Sequence, residues 1–338
     1  MDSSLILTPL LLAAVAAGAE RIARIRDGRR HPAPGEMKDI GGHKLHYQTL
    51  GAHHLEQNPD DPLVVFEADA ADWSTHFGEL PHEIAKDFPV LVYDRAGLGW
   101  SEEGAGPRDV DTLSRELHRL IVEVVGERPA LIVGHGFGSL VARMYAHRYP
   151  FETAGLVLLD SDCEGFGKES RKLGLPSSEP SPLLLRLLSV ANYFGILRLA
   201  RMPVAIPETP GYQFSARAHS ALCARSFLPS ILRTIHTEQN CKPSSMQQIE
   251  ALEDRFEFPV RILAAERSSN PESAPKGFPT HEFNELWVNQ QRKLLSLSSD
   301  SKFALAANCH HYLALGASEW VQEAIREAQN AALIPVEG

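Results

Sequence analysis

The chain has 338 residues, 43% hydrophobic and 22% charged, the ordinary makeup of a globular protein with room for one large α/β domain plus an insertion, or for two smaller domains. A net charge of −10 argues against a nucleic-acid partner, because phosphate binding needs a basic patch. The cysteines Cys163, Cys223, Cys241 and Cys309 form no C-x-x-C pair, so no zinc site is implied; a Cys223–Cys241 bridge is conceivable, and free thiols are the simpler expectation.

In chain order, Leu5–Ala19 is almost wholly apolar, and Arg21, Arg24, Arg26, Arg29 and Arg30 follow. A helix of about 15 residues rises about 22 Å, short of a roughly 30 Å hydrocarbon core, so spanning requires Glu20, Arg21 and Arg24 to lie near the interface. Residues 1–30 read as a signal anchor or membrane-associated helix, with membrane association through residues 5–25. The arginines then favour a cytoplasmic main domain. A cleaved signal peptide, and so secretion, is one alternative; a helix docked on the domain is another.

Pro32 and Pro34 mark a linker, and the runs around Met37–Gly41 and Lys44–Leu50 predict a hairpin. The polar segment Gly51–Pro62 holds His53 and His54, which point apart on most backbones and so suggest no metal site. Strands are predicted at Pro62–Glu67, Pro89–Asp94, Ala130–Gly134 and Gly155–Asp160. Helices are predicted near Thr75–Lys86, Val110–Val125 and Phe137–Tyr149. This alternation indicates a parallel sheet covered on both faces. Residues 163–256 hold helical pieces, including the apolar Leu183–Leu199, and no convincing strand. The sheet resumes at Pro259–Glu266, followed by a helix at Thr280–Leu297, a strand at Lys302–Ala307, a loop at Asn308–Tyr312 and a helix at Ser318–Ala332.

The stretch Gly134-His135-Gly136-Phe137-Gly138 sits between a strand and a helix, where a G-x-S-x-G nucleophile elbow would stand, with glycine in the serine's place. Together with Tyr93-Asp94-Arg95-Ala96-Gly97-Leu98-Gly99-Trp100-Ser101, Gly155–Asp160 and the tail Ala306–Leu313, it resembles the α/β-hydrolase superfamily from about residue 37 to 332. That resemblance implies a mostly parallel sheet with helices on both faces: a core of residues 37–162 and 257–332, and a helical lid of residues 163–256.

The resemblance also implies a site. His311 falls at the catalytic-histidine position after the last strand, and Asp160 is the preferred acid, with Glu266 the alternative. Gly136 occupies the elbow. Ala70 and Phe137 are the oxyanion-hole candidates. Relatives often carry E-x-G-x-G after the third strand; in this chain it reads Glu67-Ala68-Asp69-Ala70-Ala71, which makes Asp69 either a solvent-facing cap or a site carboxylate. Ser139 lies one helical turn on and should face away from the pocket, and Cys163 is poorly placed to replace a serine.

Three functions compete. One is an enzyme acting on an apolar small molecule by His311-based acid/base chemistry without a serine acyl-enzyme: a lyase, isomerase, cyclase or slow hydrolase. Another is a pseudo-hydrolase that binds a ligand or partner. The last is an ordinary serine hydrolase with its elbow elsewhere, for which Ser101 is the nearest rival. No metal or organic cofactor is called for, and the apolar lid suggests an apolar substrate.

Overall fold

Apolar runs long enough to be buried on both sides dominate the middle of the chain, and in the computed structural model they form one eight-stranded sheet. Residues 4–333 are described, other than 58–60, 177–180, 204–205, 208, 254 and 273. The strands are β1 (Glu36–Asp39), β2 (Lys44–Leu50), β3 (Leu63–Glu67), β4 (Val90–Tyr93), β5 (Ala130–His135), β6 (Thr153–Leu159), β7 (Val260–Arg267) and β8 (Ser301–His310). Their order is β1-β2-β4-β3-β5-β6-β7-β8. The hairpin β1–β2 and the pair β2–β4 are antiparallel, and every other pairing is parallel.

The helices are α1 (Ser4–Arg30), α2 (Ala52–Gln57), α3 (Leu80–Ile84), α4 (Val110–Val125), α5 (Gly138–Arg148), α6 (Phe166–Lys172), α7 (Pro182–Tyr193), α8 (Ile196–Leu199), α9 (Ala216–Ser226), α10 (Pro229–Glu250), α11 (Thr280–Lys293), α12 (Leu313–Gly316) and α13 (Ser318–Ala332). Alternate strand residues feed two cores. Leu63, Val65 and Ile132 pack with Leu117, Leu120 and Tyr145 of α4 and α5. Val64, Phe66 and Val133 pack with Leu80, Ile84 and Val321 of α3 and α13. This is the period-two side-chain alternation of a strand used on both faces.

Between β6 and β7 the described residues form α6–α10 and no strand. The predicted helix at Leu183–Leu199 is broken into α7 and α8 at Gly195, whose φ of 72° is a left-handed turn that favours glycine. The predicted helix at Thr75–Lys86 is instead a 3-10 turn at Ser74–Phe77 and the short α3. Helix α2 forms inside the polar segment Gly51–Pro62.

The amino-terminal expectation fails. Among the described residues no helix is long and apolar enough to cross a membrane. The signal anchor, and the membrane-associated placement built on it, therefore do not stand. The charges that interrupt the apolar run are used inside the protein. Glu20 is buried and binds Arg24 (3.0 Å) and Arg198 (2.8 Å), Arg24 donates to the Asn192 carbonyl (2.7 Å), and Asp27 pairs with Arg198 (2.6 Å). α1 is thus fastened to the helical insertion. All four cysteines are free.

Candidate active site

Four loops leave the carboxyl ends of parallel strands side by side, the place where open α/β sheets collect their ligands. They carry Asp69 after β3, Gly136 after β5, Asp160 after β6 and His311 after β8. Gly136 has φ of 52°, and the tight turn it forms is closed by its N–H donating to the Leu159 carbonyl (3.0 Å).

The space in front of this turn is filled from another loop. A Cβ added at Gly136 would meet Asp69 Oδ1 at 2.1 Å. Asp69 Oδ1 accepts from the Phe137 backbone N–H (2.6 Å), and Asp69 Oδ2 bonds His311 Nε2 (2.9 Å). On the other side of the ring, His311 Nδ1 bonds Asp160 Oδ2 (2.7 Å). One imidazole therefore bridges two carboxylates. Asp160 is fully buried, while the His311 and Asp69 side chains keep 24% and 18% of their surface, so a small molecule can reach them.

The second carboxylate is firmly built. Asp160 Oδ1 accepts from the Ala265 N–H, Trp287 Nε1 and Gln291 Nε2, each at 2.9 Å, and Oδ2 also accepts from Ser268 Oγ at 2.6 Å. Burial alone would raise the Asp160 carboxyl, but its bond to His311 and these donors hold it below the usual range. Burial opposes charge on Asp69 too. The hydrogen bond and attraction of His311, with His135 and the Phe137 N–H, nevertheless hold its carboxyl well below the ordinary value. Burial pulls the His311 imidazolium down, and the two flanking carboxylates outweigh that and push it well above its usual value. All three directions favour the charged forms, a carboxylate on each side of a protonated imidazole.

Three neighbours, His135, Asp72 and Asp162, shape this charge. His135, next to Gly136, donates from Nε2 to the His311 carbonyl (2.9 Å), an oxygen that can only accept. Burial, then the positive His311, lowers its titration to about 4, so it stays neutral. Asp72 is pushed well up by burial and by the charge on Asp69. Asp162 is raised by burial despite its 3.0 Å ion pair with Lys242 of α10, and its N–H donates to the Gly136 carbonyl (3.1 Å). Ligand atoms of Asp69, His135 and His311 lie within 4.8 Å of one another, a spacing compatible with a metal ion. His311 Nε2 is already committed to Asp69 there, so a cation would have to displace that bond.

Glu266, Ser139, Ser101 and His310 are held in other contacts. Glu266 is exposed and accepts from the Asn308 N–H (2.8 Å). Ala70 packs against the Val110–Phe137–Leu140 cluster. Ser139 Oγ is buried on the Gly134 carbonyl (2.8 Å). Ser101 Oγ donates to the Asp94 carbonyl (2.6 Å) and accepts from the His46 N–H, locking the turn after β4. His310 turns away to the Arg267 carbonyl.

Residues 58–324 match the Alpha/beta hydrolase family. The chain belongs to that family. Among curated relatives, the Uncharacterized protein YqjL of Bacillus subtilis is 32% identical over 106 residues, 30% of this chain and 42% of that protein. A Soluble epoxide hydrolase of a Corynebacterium is 28% identical over 108 residues, 32% of this chain and 35% of that protein. This α/β hydrolase thus spans less than half the length of these curated relatives. A thermophilic esterase from Thermogutta terrifontis has the same fold, with 17% identity and a TM-score of 0.57 over 86% of this chain and 95% of that one.

Proposed function

We propose that this α/β hydrolase reacts through the Asp69 carboxylate, with His311 and Asp160 as its acid/base partners, on an electrophilic saturated carbon of an apolar small molecule. The observation that carries the reading is the position of Asp69. It stands where a side chain from the turn after β5 would project, with one oxygen on the Phe137 N–H and the other on His311 Nε2. That is a nucleophile, a donor and a proton carrier in hydrogen-bond reach of one another.

The charge state suits a two-step cycle. Asp69 Oδ2 attacks carbon and forms an ester, the bond to a ring or leaving-group oxygen breaks, and the imidazolium of His311 gives that oxygen its proton. Having given up its proton, His311 is left neutral, with Asp69 uncharged as the ester and Asp160 still hydrogen-bonded to Nδ1. It then takes a proton from water, and the hydroxide attacks the ester carbonyl, whose oxyanion faces the Phe137 N–H. Cleavage returns the Asp69 carboxylate, the imidazolium and a product carrying both new hydroxyl groups. Atoms and protons balance for an epoxide and water giving a diol, and the Corynebacterium relative named as an epoxide hydrolase makes epoxides the first class to try.

A cavity of about 460 Å³ lies between the core and the helical insertion, lined by Phe166, Leu175 and Phe283 and also by Lys168, Arg171 and Glu250; it adjoins the site at Asp162 rather than at Asp69 or His311, and its apolar wall offers room for part of such a substrate. The helices of residues 163–256 act as its lid. A panel of aryl and alkyl epoxides tests the reading. Diol formation that is lost in Asp69→Asn and in His311→Gln supports it. Turnover that survives Asp69→Asn assigns the chemistry elsewhere, and binding without turnover marks a pseudo-hydrolase.

A further inference from the structure

Among the buried charges that the proposed chemistry leaves unused, one group lies directly behind the β3 loop. Arg95, Glu67 and Glu238 are almost inaccessible to solvent, yet all three carry ionisable groups. Burying charges is costly unless they are paired and hydrogen-bonded, so a network of this kind asks for an explanation.

Its hydrogen bonds converge on the loop that carries Asp69. Arg95 Nη1 donates to Glu67 Oε1 (2.8 Å) and to the Ala68 carbonyl (2.5 Å), and Nη2 donates to the Asp69 carbonyl (2.6 Å). Glu238 receives Arg95 Nε on Oε1 (2.9 Å) and Nη2 on Oε2 (3.2 Å). The Ala71 N–H also donates to Glu238 Oε2 (3.0 Å). Three backbone polar groups within four residues are therefore held by one ion pair. Ala71 itself has φ of 67°, a left-handed conformation costly for a residue with a Cβ and kept only where the surroundings impose it.

Glu238 does not belong to the sheet. It lies on α10, in the insertion between β6 and β7, and it reaches across to the β3 loop. We infer that Glu238 is a positioning residue: through Arg95 and the Ala71 N–H, docking of the helical insertion sets the β3 loop so that the Asp69 carboxylate stands against Gly136 and His311. The inference rests on Asp69 being the reactive carboxylate. Its consequence is that the reactive constellation is complete only while α10 is seated.

The test needs no substrate. His311 is faced by Asp69 and Asp160, with His135 and Tyr312 beside it, and its imidazole titration by NMR reports whether Asp69 is in place. Asp69→Asn should lower the midpoint by roughly one unit or more, since one of two flanking carboxylates is gone. Glu238→Gln should lower it by most of that amount with circular dichroism unchanged. Arg233→Ala, which removes an exposed α10 pair with Glu103, should leave it alone. A Glu238→Gln midpoint equal to wild type, beside a lowered Asp69→Asn midpoint, overturns the positioning role and spares the Asp69 reading. An unmoved Asp69→Asn midpoint overturns both. If Glu238→Gln fails to fold, amide exchange in the intact protein decides: Ala71 protected alongside α10 supports the clamp, and a freely exchanging Ala71 refutes it.

Discussion

The turns after β3 and β5 face each other across a few ångströms and are built in opposite ways. The β5 turn has the strand–turn–helix geometry that presents a reactive group, and a glycine at its tip. The β3 loop holds Asp69 in the space in front of that glycine, in a backbone held by Arg95 and Glu238. If Asp69 is the reactive group, as proposed, a site's geometry and its chemical group come here from different segments. What matters to His311 is that a carboxylate oxygen lies 2.9 Å from Nε2, whichever strand delivers it.

Removing the carboxylate should erase the contrast between the two turns most completely. Asp69→Asn keeps the shape and is expected to cut epoxide turnover on the order of 10³-fold or more, measured at saturating substrate, because groups acting as a unit fail together. A loss under tenfold would put the reactive group elsewhere.

Crowding it comes next. In Gly136→Ser the new Cβ would overlap Asp69 Oδ1 at 2.1 Å and the backbone would stay at φ of 52°. We expect a destabilisation of about 1–3 kcal/mol by thermal or urea unfolding and the expulsion of Asp69 from its place, with turnover lost. The exchange Asp69→Gly with Gly136→Asp is the stricter version. It moves the carboxylate to the β5 turn, clears the overlap, and should recover turnover that neither single change retains.

A smaller effect concerns charge. His135 titrates at about 4 in the folded protein against 6.5 for an unperturbed imidazole, so between these values the unfolded chain binds a proton that the native state does not. Stability therefore falls as pH drops from 6.5 to 4, by up to about 3 kcal/mol from this group. The raised Asp72 and Asp162 act with the opposite sign, so the wild-type difference from His135→Gln across that window isolates the histidine's contribution. A difference that is flat in pH would show that His135 charges freely in the native state. Smallest of all, Glu266→Gln touches an exposed side chain that accepts from the Asn308 N–H and should change turnover less than twofold. A large loss would make Glu266, rather than Asp160, the acid that supports His311.

Much of this was legible in the sequence because it is local. Continuous apolar runs such as Leu63–Glu67 and Ala130–His135 announce buried strands, and the glycines around Gly136 mark the turn between β5 and α5. Asp69 was legible as a departure, an acid where a small residue is usual, but which way it pointed depends on a loop fold that no local signal carries. Glu238 was invisible. It is one acid in a polar helix, and its partner Arg95 is 143 residues away. The amino-terminal helix misled for the same reason: Glu20, Arg24 and Asp27 look like the flank of a membrane segment until Arg198 and Asn192 are seen to receive them.

The most direct measurement is isotopic. The protein is incubated in H₂¹⁸O through many turnovers with any epoxide that the panel shows it to convert, quenched and digested, and the peptide containing Asp69 is weighed. An ester on Asp69 that water cleaves at the carbonyl must leave ¹⁸O in that carboxylate, so a mass gain confined to Asp69 is expected. Multiple turnovers with Asp69 unlabelled and the heavy oxygen wholly in the product would contradict it, because Asp69 would then have acted on water or a proton without ever bonding to carbon.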